Sequence, residues 1–442
     1  MKIAIVGSGI SGLGAAWALH QAHDVTVFEA AARPGGHAHS VTITADGTTL
    51  DVDTGFIVYN EANYPNLVRL FGALGVATEA SDMSFGVSID AGRHEYAGTL
   101  AGLLAQPMNL LRPGYWRMLR DIVRFFRTAE ALLDEPGAET LSLRDWLVRE
   151  RYSAVFSDDH LLPMGAAIWS ATCDQMLEFP AAGFVRFFRN HDLLELGARP
   201  AWRTVSGGSG RYVAKIAKLL GDRLRLATPV RRLQRTAQGV TLEAGNGESA
   251  HFDAVVLAAH ADQALAMLGD GATPAERSTL SAFRYQSNLA VLHRDRRLMP
   301  KRRAVWSSWN YLSDRTTAGD QAVCVSYWMN RLQNIARPVD LFVTLNPIRP
   351  IDPALELGRF DYDHPQFDTA AQAAQGRLPE IQGAGGVWFC GSYCGNGFHE
   401  DGLQAGLQVA AALGAPAPWQ DDIVPISPAR HSVAMPLAEA AE

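Results

Sequence analysis

The chain is 442 residues long, 48% hydrophobic and 19% charged, and its 39 basic and 46 acidic side chains leave a net charge of −7. That length supports two or three hydrophobic cores, the composition excludes a disordered chain, and the acidic balance argues against nucleic acid as a partner. No uninterrupted apolar run of about eighteen residues occurs and glycines break the N-terminal apolar stretch, so neither a spanning helix nor a signal peptide is expected and the location reads as cytoplasmic. Cys173, Cys324, Cys390 and Cys394 are too few and scattered for a disulfide framework. They read as buried thiols rather than a redox or metal pair, and no metal site is expected.

The apolar run Ile3, Ala4, Ile5, Val6 predicts a buried parallel strand, followed by Gly7, Gly9 and Gly12 at the spacing that turns a chain sharply into a helix. That helix begins near Ser11 and runs through Ala15, Ala16 and Leu19, aiming its free N–H groups at a pyrophosphate. A second strand, Val25–Phe28, ends at Glu29, whose carboxylate suits both hydroxyls of an adenosine ribose and would repel a 2′-phosphate. A glycine-rich turn of another α/β protein is the bland alternative, weakened by the strand before and the acid after.

Next, Val41–Ile43 and Thr48–Val52 around Ala45-Asp46-Gly47 predict a hairpin that delivers Asp53-Thr54-Gly55-Phe56. From about Leu100 to Leu133 the pattern is helical, with Trp116, Leu119, Val123 and Phe126 as the apolar face and Arg117, Arg120, Arg124 and Arg127 as a basic stripe. The stripe reads either as a solvated face paired with Asp121 and Glu130, or as a contact for anionic lipid or a substrate headgroup. Residues 140–200 continue helical and aromatic, with Trp146, Trp169, Phe184, Phe187 and Phe188. Val205-Ser206-Gly207-Gly208-Ser209-Gly210 looks like a second phosphate loop, but Arg231 and Arg232 lie where an adenosine-binding acid belongs, which disfavours a second dinucleotide.

Short strands are expected at Leu224–Leu226, Val230–Leu233, Val240–Leu242 and Ala254–Ala258, the last returning to the parallel sheet. An antiparallel sheet is expected from Leu289–Leu292, Val305–Tyr311, Val323–Trp328 and Leu341–Leu345. Between its first two strands, residues 294–303 form a basic run with an apolar tip, Leu298-Met299, read either as solvated or as a dock for anionic membrane. Val387–Gly391 is a buried strand, Gly402–Leu413 a closing helix, and the chain after Pro416 an extended or loosely attached tail.

Glu29, Arg33-Pro34-Gly35-Gly36, Asp53-Thr54-Gly55, Phe389-Cys390-Gly391 and Glu400-Asp401-Gly402 form one ordered set. The set resembles the flavoprotein superfamily of amine oxidases, protoporphyrinogen oxidase and carotenoid desaturases, over residues 1 to about 413. The resemblance implies FAD and a Rossmann-like α/β FAD-binding domain of segments 1–75, 203–265 and 383–415. It also implies an inserted α+β substrate domain, 76–202 and 266–382, that contains the antiparallel sheet, with 416–442 as tail. The cofactor residues it implies are Gly7, Gly9, Ser11, Gly12, Glu29, Arg33, Gly35, Gly36 and His37, then Gly55, Phe56, Ile57 and Val230, and finally Gly391, Ser392, Asp401, Gly402 and Leu403. His37 and Ser392 depart from the superfamily, which commonly places an Arg and an acid there.

More narrowly, DTGFIVYNEANYPNL, WSSWNYL, SYWMNRLQ and CGNGFHEDGLQAG look like a bacterial branch that accompanies cyclopropane-fatty-acid synthases, whose plant counterparts carry a similar flavin domain. This implies chemistry on an apolar lipid, a methylated or unsaturated acyl chain, with a cyclopropane-synthase-like methyltransferase as partner. The expected activity is FAD-dependent dehydrogenation by hydride transfer to N5. A flavin amine oxidase and a non-catalytic flavin-containing accessory subunit stand as alternatives.

Hydride loss from an acyl chain is matched by proton loss, for which His399 leads as base, with Tyr59 and Glu400 behind it. Phe398, Trp306, Trp309, Tyr311 and Trp328 are expected to line the substrate wall, with simple core packing as the alternative for each. An acyl tunnel is expected to open beside Arg120, Arg124 or Arg302.

Overall fold

Lys2–Val6 is the central strand of a five-stranded parallel sheet in the computed structural model, which describes residues 1–45, 47–169, 172–190, 193–194, 201–315, 321–336 and 339–420. The strand order is Leu224–Arg225, Asp24–Phe28, Lys2–Val6, Ala254–Leu257, Val387–Phe389, so the sheet gathers three distant stretches of chain. Strands buried on both faces need apolar residues throughout, and successive side chains then go to opposite layers. Ile3, Ile5, Val25, Val27 and Val256 pack under the helices Ile10–Leu19 and His399–Ala412. Ala4, Val6, Phe28, Val255 and Leu257 face the three-stranded antiparallel sheet of Val230–Thr236, Gly239–Ala244 and Ser249–Phe252.

The expected antiparallel sheet is seven-stranded: Glu356–Gln366, Arg284–His293, Phe342–Leu345, Gln321–Trp328, Trp309–Arg315, Phe85–Ile89, His94–Ala97. One pairing in it is parallel, between Trp309–Arg315 and Phe85–Ile89. Helices from the 113–190 stretch pack on one face of this sheet and form the largest core with it. The mixed α/β architecture is thus the expected one. No helix among the described residues is long and apolar enough to cross a membrane.

Three expectations are corrected. The helix Pro113–Thr128 buries Tyr115, Met118 and Phe125, while Trp116 is 55% exposed and Leu119, Val123 and Phe126 are only half-buried. The helix carries two adjacent apolar stripes, and periodicity alone picked the outer one. The apolar tip of the basic run at 294–303 is folded inward, with Leu298 and Met299 buried, while Arg297 pairs with Asp295 at 2.5 Å, Arg302 with Glu95 at 2.7 Å and Arg303 with Asp340 at 3.2 Å. Its apolar tip is core and offers a membrane no apolar anchor, while Arg294, Arg296, Arg297, Lys301 and Arg303 remain exposed. The start of the tail is docked, because Trp419 stacks on Trp17 with ring centroids 5.1 Å apart and donates its indole N–H to Asn66 at 3.2 Å. Residues 421–442 of the expected tail lie outside the described residues.

Candidate active site

The strand Lys2–Val6 ends at Gly7 and the helix Ile10–Leu19 starts after Gly9, which has no side-chain cap and φ −66°, ψ −179°. A Cβ at Gly12 would lie 2.0 Å from the Gly7 carbonyl oxygen, so the tightness of the turn itself demands that glycine. Gly9 is different: a Cβ there meets no protein atom within 4 Å. Among the described residues none approaches this point before the helix start, whose N–H groups and positive dipole end suit a phosphate. Gly36, from Arg33-Pro34-Gly35-Gly36, closes on the same place, its Cβ position 3.1 Å from Gly9 Cα. Arg33 braces that turn by donating to the Gly36 carbonyl at 3.0 Å.

Glu29 stands at the end of Asp24–Phe28. One of its oxygens accepts from Ser8 N–H and Ser8 O–H at 2.9 and 2.6 Å, the other from Ala31 N–H at 2.8 Å. Three of about four acceptor positions are thereby filled, leaving one for a ribose hydroxyl. Val230 begins the strand beside this end, two residues after Thr228 donates to the Glu29 carbonyl at 2.8 Å.

The helix His399–Ala412 packs on Ile10–Leu19 along a seam of small residues. A Cβ at Gly402 would lie 2.9 Å from Ser11 Oγ, one at Gly406 2.1 Å from the Ser11 carbonyl oxygen, and one at Gly14 2.5 Å from Leu403 Cδ1. Gly55 is pinned likewise, 2.2 Å from the His37 carbonyl oxygen. Gly55 and Gly402 are therefore each required by a close contact within the protein. Gly391 and Ser392 form the corner between Val387–Phe389 and a single 3-10 turn, Ser392–Cys394, whose Ser392 carbonyl accepts from Gly395 and Gly397. Ile57 is buried, its carbonyl accepting from Thr204 Oγ1 at 2.8 Å. The second glycine loop is already filled by the Asp53 carboxyl: Ser209 N–H donates to both its oxygens at 2.9 and 3.0 Å, and the hydroxyls of Ser209 and Ser40 and the amide of Gln333 add three more donors at 2.8, 2.5 and 3.0 Å. That agrees with the single dinucleotide expected. Burial holds the Asp53 carboxyl up to about 7 against these donors.

None of the three expected bases stands ready. His399 is stacked on Phe56, ring centroids 3.9 Å apart, with Nε2 2.7 Å from the Tyr212 hydroxyl, and burial pushes its pKa down to about 3. The near-neutral titration that suggested it is removed by its surroundings. Glu400 is 1% exposed and caps another helix, Pro65–Leu74: its oxygens accept from Asn66 N–H, Asn66 Nδ2 and Leu67 N–H at 2.8–3.0 Å. Tyr59 is core, edge-on to Tyr64 and Phe71. Asp401 accepts from Phe398 N–H at 2.9 Å, which closes the cap of its own helix.

A group of imidazoles not foreseen from the sequence surrounds His37. Its ring lies 5.2 Å from His364 and 5.0 Å from Tyr362, and His260 and His399 are close enough to bear on its charge. Burial first, then these neighbours, hold His37 neutral, and its Nε2 is buried without a partner among the described residues. His260 follows directly on the strand Ala254–Leu257, at the carboxyl end of the parallel sheet where ligands collect, a position that could have flagged it. His364 and Tyr362, on an antiparallel strand hundreds of residues away, carry no such signal.

The expected substrate wall divides. Trp309 and Tyr311 share one sheet face with Tyr327 and belong with the largest core, where Phe398 stacks on Phe187 at 5.0 Å. Trp328 is the next residue after Tyr327 and so takes the opposite face, joining Trp306, Met299 and Phe342 in a separate cluster. Trp306 precedes the strand, in a turn that begins at Arg303, and its indole N–H donates to the Pro300 carbonyl at 2.7 Å. Trp306 and Trp328 are therefore satellite core, whereas Trp309, Tyr311 and Phe398 stay together. The expected tunnel cations are also engaged, Arg302 by Glu95 and both Arg120 and Arg124 by Asp121.

Residues 10–337 match the family described as flavin containing amine oxidoreductase. A Mycobacterium tuberculosis protein named as a flavin-containing monoamine oxidase, AofH, is 29% identical over 56% of this chain and 55% of its own length. An L-amino acid dehydrogenase of Synechocystis sp. is 22% identical over 55% and 53%. The chain thus spans about half the length of these curated relatives. Among solved structures, a putrescine oxidase double mutant matches with TM-score 0.66 at 17% identity, covering 94% of this chain and 99% of that one. Cyclohexylamine oxidase from Brevibacterium oxydans IH-35A gives 0.66 at 18%, over 93% and 98%. A CLA-producing fatty acid isomerase from P. acnes gives 0.64 at 16%, with the same coverage. These likenesses show the fold. The open space at Gly9, the uncapped helix start, the spare acceptor of Glu29 and the unpartnered Nε2 of His37 all fit a bound FAD. The chain belongs to the flavin-containing amine oxidoreductase family, and its cofactor is FAD.

Proposed function

We propose that the protein is an FAD-dependent oxidoreductase that dehydrogenates an apolar substrate, a methylated or unsaturated fatty-acyl chain. One observation carries the acyl reading over the amine reading. The buried carboxylates among the described residues, Asp53, Glu95, Asp121, Glu276, Asp295, Asp340, Glu400 and Asp401, are all committed to donors within the protein. An ammonium brought to the apolar wall would find none of these carboxylates free to pair with it, and an unpaired buried ion is costly. Shedding its proton first would cost about 1.4 kcal/mol for each pH unit below the amine pKa.

FAD, when bound, supplies the hydride acceptor at N5. Trp309, Tyr311, Tyr327, Phe187 and Phe398 offer a neutral aromatic surface for a hydrocarbon chain and exclude water from it. Burial keeps Tyr311 and Tyr327 protonated and His399 neutral, so that surface holds no charge through the ordinary pH range. That one solved neighbour of this fold is named a fatty acid isomerase supports the reading. The test is to compare the acyl composition of cells with and without the protein. A new species two mass units lighter than a methylated or unsaturated precursor is expected. An unchanged acyl profile together with consumption of a polyamine would establish the amine alternative.

A further inference from the structure

The stretch 100–116 is built inside out. Leu100, Leu104, Met108, Leu111 and Trp116 are 75%, 47%, 60%, 75% and 55% exposed, while Gln106 and Asn109 between them are 6% and 0% exposed. Hydrogen bonds hold that inversion: Gln106 accepts from Glu95 N–H at 2.7 Å and donates to the Arg93 carbonyl at 2.8 Å, and Asn109 donates to the Glu95 carbonyl at 3.0 Å. Half of the exposed large hydrophobic side chains among the described residues, five of ten, fall here. Scattered singly they would need no explanation, but five within seventeen residues do.

The charge of the same stretch is one-sided. Residues 96–120 contain no Asp or Glu in a chain of net charge −7, yet Arg112, Arg117 and Arg120 lie there. Arg117 and Arg127 are exposed and form no ion pair among the described residues. The outer side of Pro113–Thr128 forms an open groove of about 540 Å³, floored by Trp116, Leu119 and Val123 and edged by Arg120, Arg124 and Arg127. We propose that this face docks the protein on an anionic phospholipid bilayer, with the five apolar side chains entering the headgroup boundary and the guanidinium groups meeting phosphates. A second copy of the chain is a poorer occupant, since a two-fold contact would set the same cationic face against itself.

The test is flotation of the FAD-loaded protein with vesicles of phosphatidylcholine alone or mixed with phosphatidylglycerol. Binding to the mixed vesicles is expected, weakened by salt. It should fall roughly tenfold or more in Leu100→Ser/Leu111→Ser and in Arg117→Glu/Arg127→Glu. The flavin spectrum and melting temperature serve as the check on folding. If either double variant fails to fold, Trp116→Phe with brominated lipid replaces it, and loss of the quenching seen in the parent is then expected. Equal binding to both vesicle types, binding untouched by the substitutions, or no binding would overturn the proposal. So would a dimer in solution that Leu111→Ser dissolves without any lipid binding.

Discussion

Gly9→Ala separates what the fold requires from what the cofactor requires. The backbone at Gly9, φ −66° and ψ −179°, is open to any L residue, and the added methyl meets no protein atom within 4 Å. The apoprotein should therefore fold normally, gaining about 0.4–1 kcal/mol from the less flexible unfolded chain. The same methyl stands before the helix start that would hold the pyrophosphate. Losing one or two hydrogen bonds to a charged group, at about 1.5–3 kcal/mol each, gives a loss of about 1.5–6 kcal/mol, roughly 10-fold to 20,000-fold in FAD affinity. Gly12→Ala is the contrast, because its Cβ would lie 2.0 Å from the Gly7 carbonyl oxygen and the fold itself should fail. Urea melts of the apoproteins and FAD titrations followed by flavin fluorescence measure both quantities. A Gly9→Ala protein that binds FAD as tightly as the parent would refute the reasoning.

Glu400→Ala should lower unfolding free energy by about 3–5 kcal/mol, since three buried donors of Asn66 and Leu67 lose their acceptor, with flavin reduction per folded molecule unchanged. Lost turnover at undiminished stability would instead restore it as a base. Arg302→Ala should cost on the order of 2–3 kcal/mol, discounted because the guanidinium is 37% exposed, and should leave vesicle binding as it was. Acid should destabilise the protein: burial lowers His160 and His293 from 6.5 to about 4, so the unfolded chain binds more protons between those values. The stability these two contribute is present above pH 6.5 and lost towards pH 4, about 3 kcal/mol for each. Melting temperatures recorded from pH 7 to pH 4 that stay level would contradict this.

What the sequence disclosed was local. Strand, Gly7, Gly9 and Gly12, helix and Glu29 lie within 29 residues, and their pattern is the pocket's own geometry. The side chains that went astray have partners far along the chain. Glu400 is claimed by Asn66, 334 residues away, and Asp53 by Ser209, 156 away. Neither tie leaves a periodic signal. Trp306 and Trp328 looked like Trp309 in composition, and only the register, which begins the strand at Trp309 and turns Trp328 to the other face, tells them apart. In Pro113–Thr128 the stripe through Trp116 fits a 3.6-residue repeat as well as the stripe through Tyr115, and what decides burial is packing from Phe156 and Phe188.

The most direct measurement is anaerobic mixing of the FAD-loaded protein with acyl lipids and, separately, with putrescine or cyclohexylamine. Bleaching of the flavin by a methylated or unsaturated acyl lipid, with two hydrogens lost from the recovered chain and no response to the amines, is the predicted result. Bleaching by an amine while every acyl lipid leaves the flavin oxidised would contradict it.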